Sequence, residues 1–154
     1  MTLTDTSDRA RFAAFVHEVE PRLRRALVAA YGADRGREAV AEALAWGWEH
    51  WAELATMDNP AGYLYRVGQS RTRPRRQPPR FAVPPGGEPW IEPQLLPALA
   101  TLTERQRVAV VLVHGFGWTH REVAELTDLA VTSVQNHVDR GLAKLRAALE
   151  VPDA

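Results

Sequence analysis

Hydrophobic residues recur every three or four positions along most of this chain, and no segment alternates apolar and polar residues as a half-buried strand does. The pattern breaks once, between Pro74 and Pro93, where seven prolines and a Gly-Gly pair lie. Because proline removes a helical donor and clashes with the preceding turn, this stretch predicts a linker. The pattern therefore predicts an all-α fold of two small domains, over residues 8–74 and 95–150, joined by a flexible linker over 75–94.

Capping and breaking residues divide the start of the first block into two helices. Ser7 is placed to cap a helix over 8–19. Pro21 suits the first turn of a second helix, and Gly32 suits its end.

Two further helices are expected in the rest of this block. Asp34 is the expected cap of a longer helix that runs to about Ala55. Asn59 followed by Pro60 predicts the start of another, which Pro74 ends.

The second block has the signals of a helix-turn-helix unit. A short helix over 95–102 comes first, and the stretches TERQ and THRE, beginning at Thr103 and Thr119, are capping boxes that open two more helices. These are expected to end near His114 and Leu126. A turn and a long final helix follow. This order, a short helix, then a tight turn, then a longer helix, is that of the helix-turn-helix motif.

The final helix has two faces at 100° per residue. The apolar face is formed by Val134, Val138, Leu142, Leu145 and Leu149. The polar face is formed by Ser133, Asn136, Arg140 and Lys144. Asparagine can bond a base edge bidentately and arginine can reach guanine or phosphate, so this face fits DNA recognition. The alternative interpretation is a solvated face of an ordinary amphipathic helix.

The segment REAVAEALAWGWEHWAEL predicts another two-faced helix. Its expected core face holds Val40, Leu44, Trp48, Trp51 and Leu54. The opposite face holds Glu38, Glu42, Trp46, Glu49 and Glu53. A tryptophan among glutamates is unusual for a solvated face and indicates a protein-binding surface, with a stray surface tryptophan as the alternative.

Composition excludes several classes of function. The 154 residues contain no cysteine, which excludes disulfides and cysteine metal sites. No apolar run is long enough to insert in a membrane, and no signal peptide is recognisable, so a cytoplasmic protein is expected. The only lysine is followed by leucine, which excludes a Walker A loop, and the five histidines are scattered. We therefore expect no catalytic residue, no metal and no cofactor, and hence no enzyme.

Charge is spread unevenly although the formal net charge is zero. Residues 1–80 carry a net of +3 and residues 81–154 a net of −3, and the stretch from Arg66 to Arg80 holds six arginines and no acid. A free-standing nucleic-acid binder is usually basic over a whole face. Weak binding to duplex DNA by the free protein is therefore expected, with a partner assisting.

The second block resembles region 4 of bacterial sigma factors of the extracytoplasmic function (ECF) group, a branch of the sigma-70 family. The resemblance rests on Leu96-Pro97, Arg105 and Arg107, Glu122-Val123-Ala124, and the Ser133-Val134 pair. It implies that the final helix reads the minus-thirty-five promoter element. The implied DNA-contacting residues are Arg121, Thr132, Ser133, Gln135, Asn136, Asp139, Arg140 and Lys144.

The first block resembles region 2 of the same family through NPAGYLYRVGQSRTRPRR, which matches the helix that engages and melts the minus-ten element. Aromatic faces stack on unpaired bases and arginines hold the strand backbone. The implied residues are Tyr65, Arg66, Gln69, Ser70, Arg71 and Arg73. The family usually has Asn at Ser70 and Asp at Pro74, and Pro74 is expected to shorten the helix.

The resemblance also implies partners. It assigns Glu38, Glu42, Trp46 and Glu49 to the helix that docks on the clamp of the polymerase largest subunit, although the family's common Gln is replaced by Arg37. It adds the flap of the second-largest subunit, promoter DNA, and an anti-sigma protein as a further candidate. The expected function is therefore promoter recognition by a sigma subunit of RNA polymerase, in the cytoplasm and at the nucleoid when engaged. The alternative is a helix-turn-helix regulator that binds DNA without polymerase.

Overall fold

All regular structure in the described part of the chain is helical. The computed structural model describes residues 3–72 and 94–150. The first range contains α1 (Leu3–Tyr31), α2 (Ala33–Glu49), α3 (Trp51–Leu54) and α4 (Pro60–Arg71). The second contains α5 (Leu95–Thr101), α6 (Glu104–Val110), a π-helical segment (Val111–Gly115), α7 (His120–Thr127) and α8 (Val131–Ala148). The all-α prediction is confirmed, while Pro74 and the expected linker up to residue 93 lie outside the described residues.

Three predicted helix starts are confirmed by their capping hydrogen bonds. The hydroxyl of Thr103 accepts from the backbone N–H of Gln106 at 3.2 Å, and the Gln106 side chain accepts from the Thr103 N–H. Thr119 and Glu122 form the same reciprocal box at the start of α7. The Asn59 side chain accepts from the third residue after it, with Pro60 at the first helical position. Local sequence alone therefore determines where α4, α6 and α7 begin.

The prediction of two helices before Gly32 is wrong, because α1 is continuous and contains Pro21. Proline cannot donate to the carbonyl of His17, four residues earlier, which is an exposed residue. The helix continues because Val19, Leu23 and Leu27 form one buried face along it. Burial of that face outweighs the lost hydrogen bond, since a fully buried Leu or Val side chain contributes about 1.5–3 kcal/mol.

The start and end of α2 also differ from the prediction. The cap is Gly32, which has the left-handed φ of 87° that glycine adopts without strain, and Asp34 lies inside the first turn. The helix ends at Glu49, and His50 separates it from the short α3.

Val40 and Leu54, both expected in the core, are buried. The buried face of α2 is nevertheless a stripe of mostly small residues rather than the expected row of large ones. It is formed by Gly36, Ala39, Val40, Ala43 and Gly47. A Cβ atom on Gly36 would lie 2.6 Å from the Cα of Val28 in α1, so the two backbones are in direct contact there. Trp48, expected in the core, is 39% exposed. Trp46, expected on the opposite face, is half-buried against the core. The close approach of α1 turns the small residues inward and leaves the two tryptophans on the flanks.

The described helices pack as two halves that share one core. Within the N-terminal half (α1–α4), α1 packs on α2, and α2 packs on α4. Within the C-terminal half (α5–α8), α6 and α7 both pack on α8. The halves meet where α1 contacts α6 and α4 contacts α7, and buried residues of both halves form one continuous hydrophobic cluster. None of the described helices is long and apolar enough to cross a membrane.

Gly36→Ala is expected to lower the free energy of unfolding by about 1–3 kcal/mol, because the new methyl group meets backbone that cannot move away. The matched control is Gly115→Ala, whose Cβ would only touch the Val111 side chain at 3.7 Å. Urea unfolding followed by circular dichroism measures both variants. Equal stability of the two variants would contradict the backbone contact between α1 and α2.

Candidate nucleic-acid interface

The helix-turn-helix unit is built from α7, a three-residue turn and α8. The turn begins at Asp128, which ends α7 in the left-handed conformation with φ 57°. The N–H of Leu129 then donates to the carbonyl of Ala124 at 3.1 Å, closing the end of the helix. A left-handed residue after a helix reverses the chain over few residues. This turn therefore sets the direction in which α8 leaves α7.

The two faces predicted for α8 are present. Val134, Val138 and Leu145 are buried, and Leu142 and Leu149 are half-buried. The exposed residues among those predicted to contact DNA are Thr132, Gln135, Asn136, Asp139, Arg140 and Lys144, together with Arg121 on α7. Ser133 is half-buried. Polar groups that can hydrogen-bond base edges therefore face solvent along the N-terminal part of the helix.

Lys144, a member of this set, is hydrogen-bonded to another helix of its own half. Its Nζ donates to Oε1 of Gln106 at 3.0 Å, and that oxygen also accepts from the N–H of Thr103. Gly141, one turn earlier, lets α8 approach α6, since a Cβ there would lie 2.6 Å from Val110. Lys144 therefore fastens the end of α8 to α6.

His137 lies between the exposed and buried faces of α8, and sequence reasoning did not assign it a role. Burial lowers the pKa of its imidazole below the usual 6.5, and the nearby cations of Arg105 and Arg140 lower it further. The ring lines a cavity that also contacts Tyr65 and Gln69 of α4. His137 is therefore neutral at neutral pH and faces the other half of the molecule.

The helix α4 presents only some of its predicted DNA-contacting residues to solvent. Arg66, Ser70 and Arg71 are exposed. Arg73 lies outside the described residues. Gln69 is half-buried and donates to the carboxylate of Glu104 in α6 at 3.2 Å.

The position of Tyr65 contradicts the expectation that its ring is accessible to an unpaired base. The side chain is 2% exposed, and burial followed by the charge of Glu104 raises its pKa well above 10.0. A ring enclosed in this way cannot stack on a base while the halves are packed together. The residue is buried because α4 lies between α1, α2 and α7, which the pattern of α4 alone does not reveal.

The exposed aromatic side chain of α4 is Tyr63, which is 39% exposed. It packs beside Trp46 with the ring centroids 5.1 Å apart. With Asn59 and Arg66 it lines an open cleft of about 210 Å³. Two contacts to the C-terminal half border this cleft: Asn59 donates to the carbonyl of Glu125 at 2.7 Å, and Arg66 lies 3.8 Å from Asp128. Sequence reasoning missed Tyr63, although it lies in the motif that was singled out.

The acidic face of α2 is solvent-accessible. Glu38, Glu42 and Glu49 are exposed. Trp46 is not free beside them, because its ring stacks on His50 with centroids 4.2 Å apart, and the Nδ1 atom of His50 lies 2.9 Å from the Trp46 carbonyl oxygen. This surface therefore offers carboxylates to a partner, with the tryptophan at its edge.

A buried arginine joins the two halves. Arg107 of α6 is 4% exposed and donates from Nε to the carbonyl of Ala29 at 2.7 Å, from Nη2 to the carbonyl of Ala30, and from Nη1 to that of Leu102 at 2.8 Å. The first two acceptors lie in the last turn of α1, where the helix dipole favours a cation. Burial lowers the pKa of Arg107, and the neighbouring Glu104 opposes that shift.

Comparison with known proteins identifies the C-terminal half. Residues 94–145 match the family model described as "Sigma-70, region 4". The fold as a whole is similar to that of the sigma factor RpoE from Bartonella quintana, solved in complex with the anti-sigma factor NepR. The TM-score is 0.65 at 17% sequence identity, over 93% of this chain and 99% of that one. No curated protein matches the sequence. The predicted resemblance of the second block to sigma region 4 is confirmed over residues 94–145, and the predicted all-α fold class is confirmed as well.

No group of three or more His, Cys, Asp or Glu side chains within residues 3–72 and 94–150 is placed to hold a metal ion. The chemistry that the described surface offers is hydrogen bonding and charge, from the helix-turn-helix unit and from α4.

Arg107→Lys is expected to lower the free energy of unfolding by about 2–4 kcal/mol, because an ammonium cannot donate to three separated carbonyls as a guanidinium does. Arg105→Lys, an exposed arginine on the same helix, is the matched control. Urea unfolding gives the stabilities, and small-angle scattering reports whether the halves separate before they unfold. An unchanged free energy of unfolding in Arg107→Lys would show that the hydrogen bonds of Arg107 do not hold the halves together.

The His137 imidazole is expected to make folding stability pH-dependent. Since its pKa is lowered on folding, the unfolded chain binds more protons below about pH 6.5, and stability falls as the pH drops from 7 to 5. His137→Gln is expected to make that decline shallower in thermal melts across this range. His17→Gln, on an exposed position of α1, controls for the loss of an imidazole as such. An unchanged decline in His137→Gln would refute the assignment.

Proposed function

We propose that this chain, whose residues 94–145 form a sigma-70 region 4 domain within the fold of a sigma factor, directs core RNA polymerase to promoters. The observation that carries the proposal is the exposed polar face of α8 in a helix-turn-helix unit that matches the family. The same fold has a second helical half with an exposed aromatic and exposed arginines on α4. The protein binds at two DNA elements rather than catalysing a reaction.

Recognition of the minus-thirty-five element is assigned to the start of α8. Asn136 and Arg140 are one turn apart and both exposed, so the amide can reach adenine and the guanidinium can reach guanine in the same major groove. Gln135 and Asp139 border them. Arg121, exposed on α7, is assigned to a phosphate contact, which would fix the register without reading sequence.

Engagement of the minus-ten element is assigned to α4. Tyr63 offers an accessible ring to an unpaired base, and Arg66 and Arg71 offer cations to the strand backbone. Ser70 lies on the same exposed surface. Gln69 and Tyr65 join this surface only after the C-terminal half moves away, because α6 and α7 cover them in the packed arrangement.

Binding to polymerase is assigned to the exposed carboxylates of α2. Glu38, Glu42 and Glu49 complement a basic surface on the clamp of the largest subunit and accelerate encounter with it. Trp46, next to them, adds an apolar edge. The C-terminal half is assigned to the flap of the second-largest subunit, which leaves the polar face of α8 available to DNA.

Separation of the two halves is a required step in this proposal. DNA at two elements cannot be contacted while α4 faces α7, since Arg66 pairs with Asp128 and Gln69 bonds Glu104. The chain between residues 72 and 94 can span at most about 80 Å when extended, which permits wide separation. A partner that holds the halves together would therefore oppose transcription, and we propose an anti-sigma protein in this role, since the similar RpoE was solved in complex with the anti-sigma factor NepR.

Asn136→Ala and Arg140→Ala are each expected to reduce discrimination between matched and mismatched promoters by about 1–3 kcal/mol, because each removes a contact to a base edge. Run-off transcription with core polymerase and a pool of genomic promoter fragments measures this. Arg146→Ala, exposed on the last turn of α8, is the matched control.

The same experiment separates the sigma function from the alternative. Transcription that depends on the added protein supports the proposal, and loss of specificity in the two variants but not in the control supports the assignment to α8. Absence of polymerase-dependent transcription, together with tight sequence-specific binding of the free protein in a gel shift, would favour a polymerase-independent regulator.

A further inference from the structure

Three side chains along one side of α4 face oxygen atoms of the C-terminal half. The three are Asn59, Arg66 and Gln69. In the same order, the oxygen atoms belong to the carbonyl of Glu125 at 2.7 Å, the carboxylate of Asp128 at 3.8 Å and the carboxylate of Glu104 at 3.2 Å. At 100° per residue the three side chains fall within about 80° of one another. The C-terminal half therefore supplies acceptors to the N–H groups along one side of this helix.

Two of these acceptors lie at the C-terminal end of α7, and their charge is similar to that of a nucleic-acid backbone. Glu125 is in the last turn of the helix, and Asp128 directly follows the helix. The carbonyls at a helix C-terminus carry partial negative charge, and the Asp128 carboxylate adds a full one. A DNA strand offers the same chemistry, since its phosphates are anionic oxygen acceptors. The end of α7 therefore presents to α4 the groups that a strand backbone would present.

The backbone at Asp128 shows that the turn does not require an aspartate. Its φ is 57° and its ψ is 42°, in the left-handed region that glycine enters without strain. The Cβ atom of other residues is crowded there, although aspartate is among those that tolerate it best. Glycine would therefore end α7 at no steric cost. What the aspartate adds is a carboxylate that lies 3.8 Å from Arg66 of the other half.

We propose that the C-terminal end of α7 is an internal competitor of DNA. Asp128 and the carbonyl of Glu125 occupy the positions on α4 that the backbone of a promoter strand takes when it binds. This inference rests on the proposed function, because it concerns the surface of α4 that is assigned to the minus-ten element. The cleft of about 210 Å³ at this place is lined by Asn59, Tyr63 and Arg66 as well as by Asp128. Because Tyr63 is exposed, a strand can contact its ring while the halves are still packed together.

The contact between Arg66 and Asp128 is weak enough for DNA to displace it. The two side chains are 65% and 71% exposed, and an exposed ion pair contributes little to stability. The buried hydrogen bonds of Arg107 lie elsewhere in the interface, so this edge can exchange partners while they persist. A strand that replaces Asp128 therefore opens the interface from this edge. Because such coupling is reciprocal, packing of the halves weakens strand binding by the factor by which the strand weakens packing.

The probe is a fluorescein-labelled single DNA strand of about 12 nucleotides with randomised sequence, since stacking and backbone contacts tolerate any sequence. Fluorescence anisotropy measures its affinity for the full chain. Asp128→Asn is expected to bind it about two- to fivefold more tightly, which is the range that an exposed ion pair accounts for. Asparagine has the same shape, tolerates the left-handed conformation and lacks the charge. Asp128→Gly is expected to show the same gain, with no loss of stability in urea unfolding.

The matched control is Glu125→Gln. It removes an exposed carboxylate from the same helix but leaves the backbone carbonyl that Asn59 contacts, so no comparable gain is expected. A double-mutant cycle then separates the ion pair from a general effect of charge. Arg66→Gln is expected to weaken strand binding, and Asp128→Asn is expected to give no further gain in that background. A saturating strand is expected to increase the radius of gyration of the unsubstituted chain in small-angle scattering.

Several results would overturn the proposal. These are equal gains in Glu125→Gln and Asp128→Asn, a gain from Asp128→Asn that persists beside Arg66→Gln, an unchanged radius of gyration at saturation, or no binding of the strand by any variant. Run-off transcription distinguishes this failure from failure of the proposed function. Intact transcription without an effect of Asp128→Asn on strand binding rejects the internal competitor alone. The expected cycle without polymerase-dependent transcription supports the competitor and rejects the sigma function.

Discussion

The buried guanidinium of Arg107 is the interaction on which the relative position of the two halves depends. It satisfies carbonyls in the last turn of α1 and one at the end of α5. A buried cation is costly unless its donors are matched by acceptors, and here rigid helix ends supply them. The arrangement therefore tolerates little sliding between α1 and α6. Because α6 also packs on α8, the same contact determines where the helix-turn-helix unit lies relative to α4.

Around that contact, the interface combines an apolar core with polar contacts at its edges. Leu23 and Leu27 of α1 belong to the same buried cluster as Val108 and Leu112 of the C-terminal half. The outer contacts, such as the pair between Arg66 and Asp128, are solvent-exposed and contribute little to stability. An interface of this kind can close tightly around its centre and still open from its edges. This property fits the proposed function, in which both halves are presented to DNA and polymerase.

The parts of the fold that depend on neighbouring residues in the sequence could be predicted from it. The caps at Asn59, Thr103 and Thr119 depend on residues within one turn, and the exposed face of α8 follows from a regular apolar repeat. Predictions failed where tertiary packing decides. Pro21 stays inside a helix because its neighbours are buried, and Tyr65 is enclosed by α1 and α2 of its own half together with α7 of the other half. Trp48 lies outside the core because Gly36 allows the backbones of α1 and α2 to touch. A helical wheel shows only angular positions on one helix and gives no information about how closely two helices approach.

Trp118 lies at the boundary between the two halves, and its position affects its fluorescence. Its ring belongs to the C-terminal half and is nearly buried in the shared core, while the guanidinium of Arg22 from α1 lies 5.5 Å from the ring centroid. Movement of α1 away would remove a nearby cation and admit water to the indole. Indole emission depends on both its local field and its hydration. The indole of Trp118 is therefore an intrinsic fluorophore whose emission wavelength and intensity depend on whether the two halves are packed together.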